Sequence, residues 1–394
     1  MSIVGDIPYY RELKKFLILI GQYPQQTNCS RNTLFIMILT SLVSLLIPTI
    51  IGFVTSFCEH DTDKVLDAIP IMVTNLVTMI KLINFNINRK KFRKLYDFVI
   101  SEWESLKFKN EVQILDEITK TGSNIAFLYR TALLGSLVLF AFLPLIPLFL
   151  DIVLPLNETR LKQQVFKLNY LVDDDKYFYP IYFHSIWTST TIVVTIVTVD
   201  SMYMLVTHHA CGLFAICGNR IKQTTQSFDK RIDNAPKERA VYQEFKNCAI
   251  IHKEAIQFYE LINDINQRSF LLQIGLNMIG ISVTAVQTVM NLNNVREALR
   301  IGIFLGAQQF HLFFNSLPGQ SLVDRSLQLL DDLYSSKWYQ APVRMQRVIY
   351  MMQIRSGVPC TLTAGGLYDM NIENFGMIFK SCMSYFTMLL SLRE

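Results

Sequence analysis

Long uncharged apolar stretches, separated by short charged ones, dominate the chain. Asn32–Cys58, Thr131–Leu150, Tyr177–Val199, Ser269–Val295 and Ile301–Val323 contain no charged residue, and Asp200 closes the third of them. Two further stretches carry a single interruption. Ala68–Ile80 is followed by Lys81 and then Leu82–Asn88, and Phe375–Leu392 is broken only by Lys380. About 20 helical residues cross the ~30 Å hydrocarbon layer of a bilayer. Each stretch is too long for a strand and lacks apolar–polar alternation. The pattern predicts an all-α membrane protein with seven transmembrane helices.

Two stretches outside these runs are also helical by pattern. Ile251, Ala255, Phe258, Ile262 and Ile265 recur at three and four and lead without a breaker into the fifth run. Leu322, Leu329, Leu330 and Leu333 prolong the sixth. These cytoplasmic helical extensions, about 207–267 for the first, exceed what a bilayer needs. Their apolar faces pack within the chain, or against further subunits, or both.

The last run has a polar side. At about 100° per residue, Lys380, Ser384, Thr387 and Ser391 share a stripe about 60° wide. A polar stripe inside a membrane faces protein or water, because a charge in lipid costs several kcal/mol. A buried helix contact and a water-filled pore both satisfy that condition.

Composition supports the membrane class. Charged residues are 18% of 394, against ~25% in soluble domains. The net charge of +5 does not accompany aromatic or glycine-rich nucleic-acid motifs, so no nucleic-acid partner is expected. Charge placement instead predicts orientation. The N-terminal tail and the second, fourth and sixth loops hold 25 Lys and Arg, against 8 on the other side. By the positive-inside rule the N-terminus lies inside and the C-terminus outside. Asp6, Arg11, Glu12, Lys14 and Lys15 break the first twenty residues, so no signal peptide is expected there. The expected organisation is a cytoplasmic tail over 1–33, six spans over 34–315, a cytoplasmic anchor region over 316–370 and a final helix over 371–394. This topology puts the sequon Asn157-Glu158-Thr159 outside, where Asn157 could be glycosylated or the match could be chance. The seven cysteines, with only Cys58 near the outer side, read as free thiols.

Catalytic signatures are absent: the chain has no His-Glu-x-x-His, Walker loop, Gly-x-Ser-x-Gly or Cys-x-x-Cys. Neither an enzyme, nor a metal site, nor a cofactor is expected. The adjacent His208 and His209 read as headgroup-level polar residues. A G-protein-coupled receptor would need the opposite orientation, and a transporter would need repeated Gly- or Pro-broken helices. Here Pro144 and Pro147 kink one helix only.

The C-terminal third carries a series of short motifs. Gly319-Gln320-Ser321-Leu322 is followed by Ser335-Ser336-Lys337-Trp338-Tyr339, Arg355-Ser356-Gly357-Val358-Pro359, Leu362-Thr363-Ala364-Gly365-Gly366 and Ser384-Tyr385-Phe386-Thr387. In this order, before a short final helix, the series resembles the insect odorant receptor family; the related gustatory receptors generally lack its middle part. The resemblance implies a subunit of a tetrameric, odorant-gated, non-selective cation channel in the plasma membrane of olfactory sensory neurons. It also implies an odorant co-receptor as partner and a pore lined by the last helix. It puts a hydrophobic gate at Met388 and Leu392, with Ser391 between them, closing by dewetting. A dry pocket for a small volatile ligand is expected in the outer halves of the second to sixth spans. Candidate lining residues are Met72, Val73 and Leu76 on the second span and Ser136, Leu139 and Leu143 on the third. The fourth contributes His184, Trp187 and Thr188, and the sixth Phe304 and Gln308.

Overall fold

A computed structural model describes residues 7–106, 109–154, 164–166, 168–226 and 235–391. Asn157 and Leu392 lie outside the described residues. Among the described residues the regular structure is helical apart from one hairpin of two two-residue strands. Helices α2 (Asn28–Cys58), α3 (Thr62–Ile87), α5 (Lys109–Phe142), α7 (Phe178–Gln226), α8 (Ala235–Met290), α9 (Val295–Ser335) and α11 (Ile372–Ser391) carry most of the seven apolar runs. Shorter helices α1 (Pro8–Leu19), α4 (Arg89–Ser105), α6 (Ile146–Val153) and α10 (Val343–Ser356) fill the gaps.

Among the described residues, five segments are long and apolar enough to cross a membrane: Asn28–Cys58, Thr62–Ile87, Asn110–Val153, Phe178–Gln226 and Glu238–Met290. Helices α9 and α11 fall outside this set. On α9, Gln308, Gln309, His311, Asn315 and Ser316 lower the apolar content, and on α11 the polar stripe does so.

The N-terminal tail holds a helix: α1 buries Tyr10, Leu13 and Leu17 against the bundle. The second loop is helix as well, because Phe92, Leu95, Tyr96 and Val99 recur at helical spacing and bury one face of α4. Residues 207, 267 and 315 lie inside α7, α8 and α9, so the helical extensions are continuous with the apolar runs they prolong. Pro144 and Pro147 break the third run into a 3₁₀ turn, Leu143–Leu145, before α6. Proline removes the helical donor and crowds the preceding turn, which accounts for the break.

Helix α7 is the central post. Every residue from Asp200 to Phe214 is buried, so this half of the helix is surrounded by protein. His208 and His209 belong to it and are buried within the bundle. The close approach of α5 explains how. A Cβ on Gly122 would lie 2.6 Å from the His208 ring, so only glycine leaves it room.

The motif Leu362–Gly366 forms the hairpin that roots α11. Thr363 pairs with Asp369 and Ala364 with Tyr368. Gly365 and Gly366 turn the chain at φ +63° and +71°, a region that favours glycine. The hairpin is clipped to α8, with Thr363 N–H donating to Asn263 Oδ1 at 2.8 Å and Gly365 N–H to the Gln267 carbonyl at 2.9 Å. Tyr259 Oη donates to the Thr361 carbonyl at 2.9 Å. On the α9 side, Cys360 N–H donates to Ser326 Oγ at 3.0 Å. Burial holds the Cys360 thiol above its ordinary range, so it stays protonated and inert. Asn371 Oδ1 then accepts from Asn374 N–H at 2.8 Å in the first turn of α11.

Candidate ligand cavity and pore helix

An apolar cavity of about 130 Å³ lies between α3, α5, α7, α8 and α9. That is close to the ~150 Å³ of an apolar cavity known to hold benzene. Its walls are Ile71, Thr74 and Val77 of α3; Leu133, Ser136, Leu137 and Phe140 of α5; and Ser189, Ile192, Val193 and Ile196 of α7. Helix α8 adds Asn277, and α9 adds Ile303, Phe304, Ala307, Gln308 and His311. Phe166, from the segment before α7, completes the lining.

The cavity brings together Ser136, Phe304 and Gln308 from the expected set and leaves the others outside. On α3 the wall is made by Ile71, Thr74 and Val77, one residue off Met72, Val73 and Leu76. Val73 faces α8 instead, where a Cβ on Gly280 would lie 3.0 Å from it. Leu139 is 59% exposed on the outer surface of α5, and Leu143 sits in the 3₁₀ turn. On α7 the wall begins one residue beyond Thr188. Trp187 is 56% exposed. His184 faces α2 and the segment before α7, with Nε2 3.0 Å from Ser44 Oγ and Nδ1 2.9 Å from Tyr170 Oη. Thr188 is buried and donates to the His184 carbonyl. The reason is rotational: a step of one residue turns a side chain ~100° about the helix, and only packing fixes that phase. Asn277 and Phe166 stand apart from other polar or aromatic cavity residues in sequence, whereas His311 lies one helical turn from Gln308, a spacing that could have pointed to it.

Aromatic rings close one end of the cavity. Phe140 stands 5.5 Å from Phe166 and 6.4 Å from Phe304 between ring centroids. Beyond them is a polar collar, in which Gln287 Nε2 donates to Asp67 Oδ1 at 2.6 Å and Arg300 Nη1 to the Val165 carbonyl at 2.9 Å. A separate space of about 610 Å³ near the α2–α3 turn is larger, but Glu59, Lys64, Asp174 and Asp175 line it. Its polarity suits water and ions better than an apolar guest.

The other end of the cavity rests on a buried polar network. Lys81 and Asp200, two of the three charges that interrupt or close apolar runs, form an ion pair with side chains 1% and 2% exposed. Tyr129 Oη donates to Asp200 Oδ2 at 2.6 Å. His311 Nδ1 lies 3.3 Å from Tyr129 Oη and 3.0 Å from Asn315 Nδ2. Four helices, α3, α5, α7 and α9, meet at this point. Sequence analysis registered Lys81 and Asp200 as interruptions without pairing them, since they are 119 residues apart.

Helix α9 links this region to α11. Past His311, its Phe313 ring stands 5.4 Å from that of Phe375. Gly319 meets the Met370 backbone, and Gln320 Oε1 accepts from Ile372 N–H at 3.3 Å. On α11, Ile378 and Cys382 are buried, with Cys382 Sγ 3.9 Å from the Met278 carbonyl of α8. Lys380, Ser384, Thr387 and Ser391 are exposed on this single chain, and so is Met388 at 49%. The stripe is therefore not the face by which α11 docks on its own bundle.

Comparison with known proteins assigns this architecture. The family model described as 7tm Odorant receptor matches residues 61–383. Odorant receptor 47a of Drosophila melanogaster is 22% identical over 376 residues, covering 88% of this chain and 90% of that one. Odorant receptor 13a of the same species is 21% identical over 80% of this chain and 77% of its own. The match to its odorant receptor 9a, at 23% identity, spans 55% of this chain and about half, 52%, of that protein. In three dimensions the chain is similar to the insect olfactory receptor OR5 from Machilis hrabei, in complex with eugenol, with a TM-score of 0.83 at 15% identity over 99% of both chains. With the match running from α2's end through most of α11, this chain belongs to the 7tm odorant receptor family.

Proposed function

We propose that the protein is an odorant receptor subunit that binds a small volatile molecule in the α3–α5–α7–α8–α9 cavity and gates a non-selective cation channel. The observation that carries this reading is the cavity itself: mostly apolar, lined by five helices, and walled on one side by the helix that leads to α11. That OR5 is known in complex with eugenol supports a ligand of this size class. The working unit is a tetramer with the odorant co-receptor in the plasma membrane of an olfactory sensory neuron. The chain crosses seven times, with its basic loops on the cytoplasmic side. Filling the cavity tests the binding step. Ala307→Trp places an indole in the wall, and overpacking of this kind costs about 1–3 kcal/mol. In cells with the co-receptor, odorant-evoked current should need about tenfold or more ligand, with surface expression retained. An unshifted dose–response across an odorant panel would sink the cavity as the ligand site.

The exposed stripe of α11 supports a pore, lined by Lys380, Ser384, Thr387 and Ser391, with Met388 and Leu392 at the gate. A lysine on the ion path repels cations, by ~1 kcal/mol per unit charge at 4 Å in water and more where water is scarce. Lys380→Gln should therefore raise single-channel conductance a few-fold at low ionic strength, where screening is weakest, and leave the odorant midpoint in place. Unchanged conductance would assign Lys380 to a contact between subunits.

A further inference from the structure

Three hydroxyls line the cavity, and each already makes a hydrogen bond along its own helix. Thr74 Oγ1 donates to the Pro70 carbonyl at 2.8 Å, Ser136 Oγ to that of Leu133 at 2.8 Å, and Ser189 Oγ to that of Ser185 at 2.7 Å. His311 is buried and engaged by Tyr129 and Asn315 in the network beneath. These groups have a partner without any guest. The two amides of the lining, Asn277 on α8 and Gln308 on α9, are in a different state.

Asn277 sits on the inward face of α8. Gln273, Gly280, Ile281 and Thr284 share that face by helical spacing, and all four are buried. Asn277 itself is only part-buried, and the space it meets is the cavity. Among the described residues its side chain makes no hydrogen bond. Gln308 approaches the same stretch of α8. A Cβ on Gly280, one turn on from Asn277, would lie 3.3 Å from Gln308 Nε2. Gln308 Oε1 is enclosed without a partner, whereas Nε2 is open. Open, unpaired N–H groups therefore gather on the α8–α9 side, while the wall on α5 and α7 is mainly apolar. A donor left unmet in apolar surroundings is costly, and a guest oxygen supplies its partner.

We infer that Asn277 sets the ligand class: the cavity takes small, mostly apolar molecules with one acceptor oxygen, such as ketones, aldehydes and esters, to which the Asn277 amide N–H donates with Gln308 Nε2 beside it. This rests on the cavity being the ligand site and adds the chemical class. A carbonyl oxygen has two lone pairs and can take an N–H from each amide. A hydrocarbon of the same shape fills the apolar part of the cavity equally well and leaves both amides unpaired. Discrimination of this kind arises where polar groups of a site meet an analogue that lacks their partner.

The test uses purified full-length protein in lipid nanodiscs and two probes of one shape, acetophenone and isopropenylbenzene, in which a carbonyl oxygen and a methylene group exchange places. Apparent affinities come from ligand-induced thermal shifts in the wild type, Asn277→Leu, Gln308→Met and Ala307→Trp. Comparing the ratio of affinities between variants cancels the different partitioning of the probes into lipid. The expected result is an acetophenone-to-isopropenylbenzene ratio about tenfold lower in Asn277→Leu than in the wild type. Gln308→Met should show a smaller fall, and both variants should bind isopropenylbenzene at least as well as the wild type. Asn277→Ala gives the same reading if Asn277→Leu does not fold. An unchanged ratio in the Asn277 variant, with both probes lost in folded Ala307→Trp, overturns the role of Asn277 and leaves the cavity standing. A ratio that falls only in Gln308→Met overturns it too. Undiminished binding of both probes in folded Ala307→Trp overturns the cavity as the ligand site, and with it this inference. Absence of acetophenone binding to the wild type at millimolar concentration overturns the proposed class.

Discussion

Asp200→Leu, with Lys81 left in place, should destabilise the bundle by about 3–5 kcal/mol, the cost of an uncompensated charge at a buried ion-pair site. Lys81 is 1% exposed and sits about two turns from the C-terminal end of α3, inside the bundle, so its ammonium is cut off from water. Tyr129 also loses the acceptor of its 2.6 Å hydrogen bond. The measurable outcome is a large fall in surface expression and in the melting temperature of purified protein. The double variant Lys81→Met/Asp200→Leu is the discriminating partner. Replacing both members of a buried pair by apolar groups of similar size is often neutral, so expression should recover most of the way. Equal loss in the single and double variants would mean that the residues act separately and that the pair is not the organising contact. If the double variant folds but no longer responds to ligand, the network beneath the cavity serves gating in addition to stability.

Gly319→Ala is expected to be destabilising although it replaces glycine in a helix. In an unobstructed helix that change favours folding by about 1 kcal/mol. At position 319 a Cβ would fall 1.7 Å from the Met370 carbonyl oxygen. That obstacle is backbone and cannot swing away, so α9 must separate from the segment that roots α11. The strain then reaches the Cys360–Ser326 and Ile372–Gln320 hydrogen bonds on the same side. Gly302 and Gly306 on the same helix have nothing within 4 Å of an added Cβ, so alanine there should be neutral or mildly stabilising. Thermal melting of the three variants in one lipid background checks this. A melting temperature for Gly319→Ala at or above those of Gly302→Ala and Gly306→Ala would refute the close-approach account. In channel recordings the same variant should alter gating more than ligand affinity, because the contact lies beyond the cavity wall.

Much of the fold was legible because its causes are local. An apolar run of 20 residues must be helical in a bilayer, where each backbone donor and acceptor needs an internal partner. The extension of the fifth run followed from the spacing of Ile251, Ala255, Phe258, Ile262 and Ile265, of which Ala255, Phe258, Ile262 and Ile265 are buried. The same spacing in Phe92, Leu95, Tyr96 and Val99 was equally readable, but a high density of Lys and Arg around it suggested a loop. Gly365 and Gly366, which carry part of the family resemblance, form the turn of the hairpin at positive φ, but that role follows from the pairing of Thr363 with Asp369 and not from the motif alone.

The sequence by itself determined the class of the protein: a helical membrane bundle with a motif-rich C-terminal third and a final helix polar along one side. Each of those properties depends on neighbours along the chain. Tertiary structure decided which face of each helix meets the cavity, because helix phase is set by packing and one residue of error turns a wall residue outward, as at Leu139 and Trp187. It also decided that Lys81 and Asp200 are partners. Desolvation drives two buried charges together wherever the fold brings their helices side by side, and nothing in the spacing of residues 81 and 200 encodes that meeting.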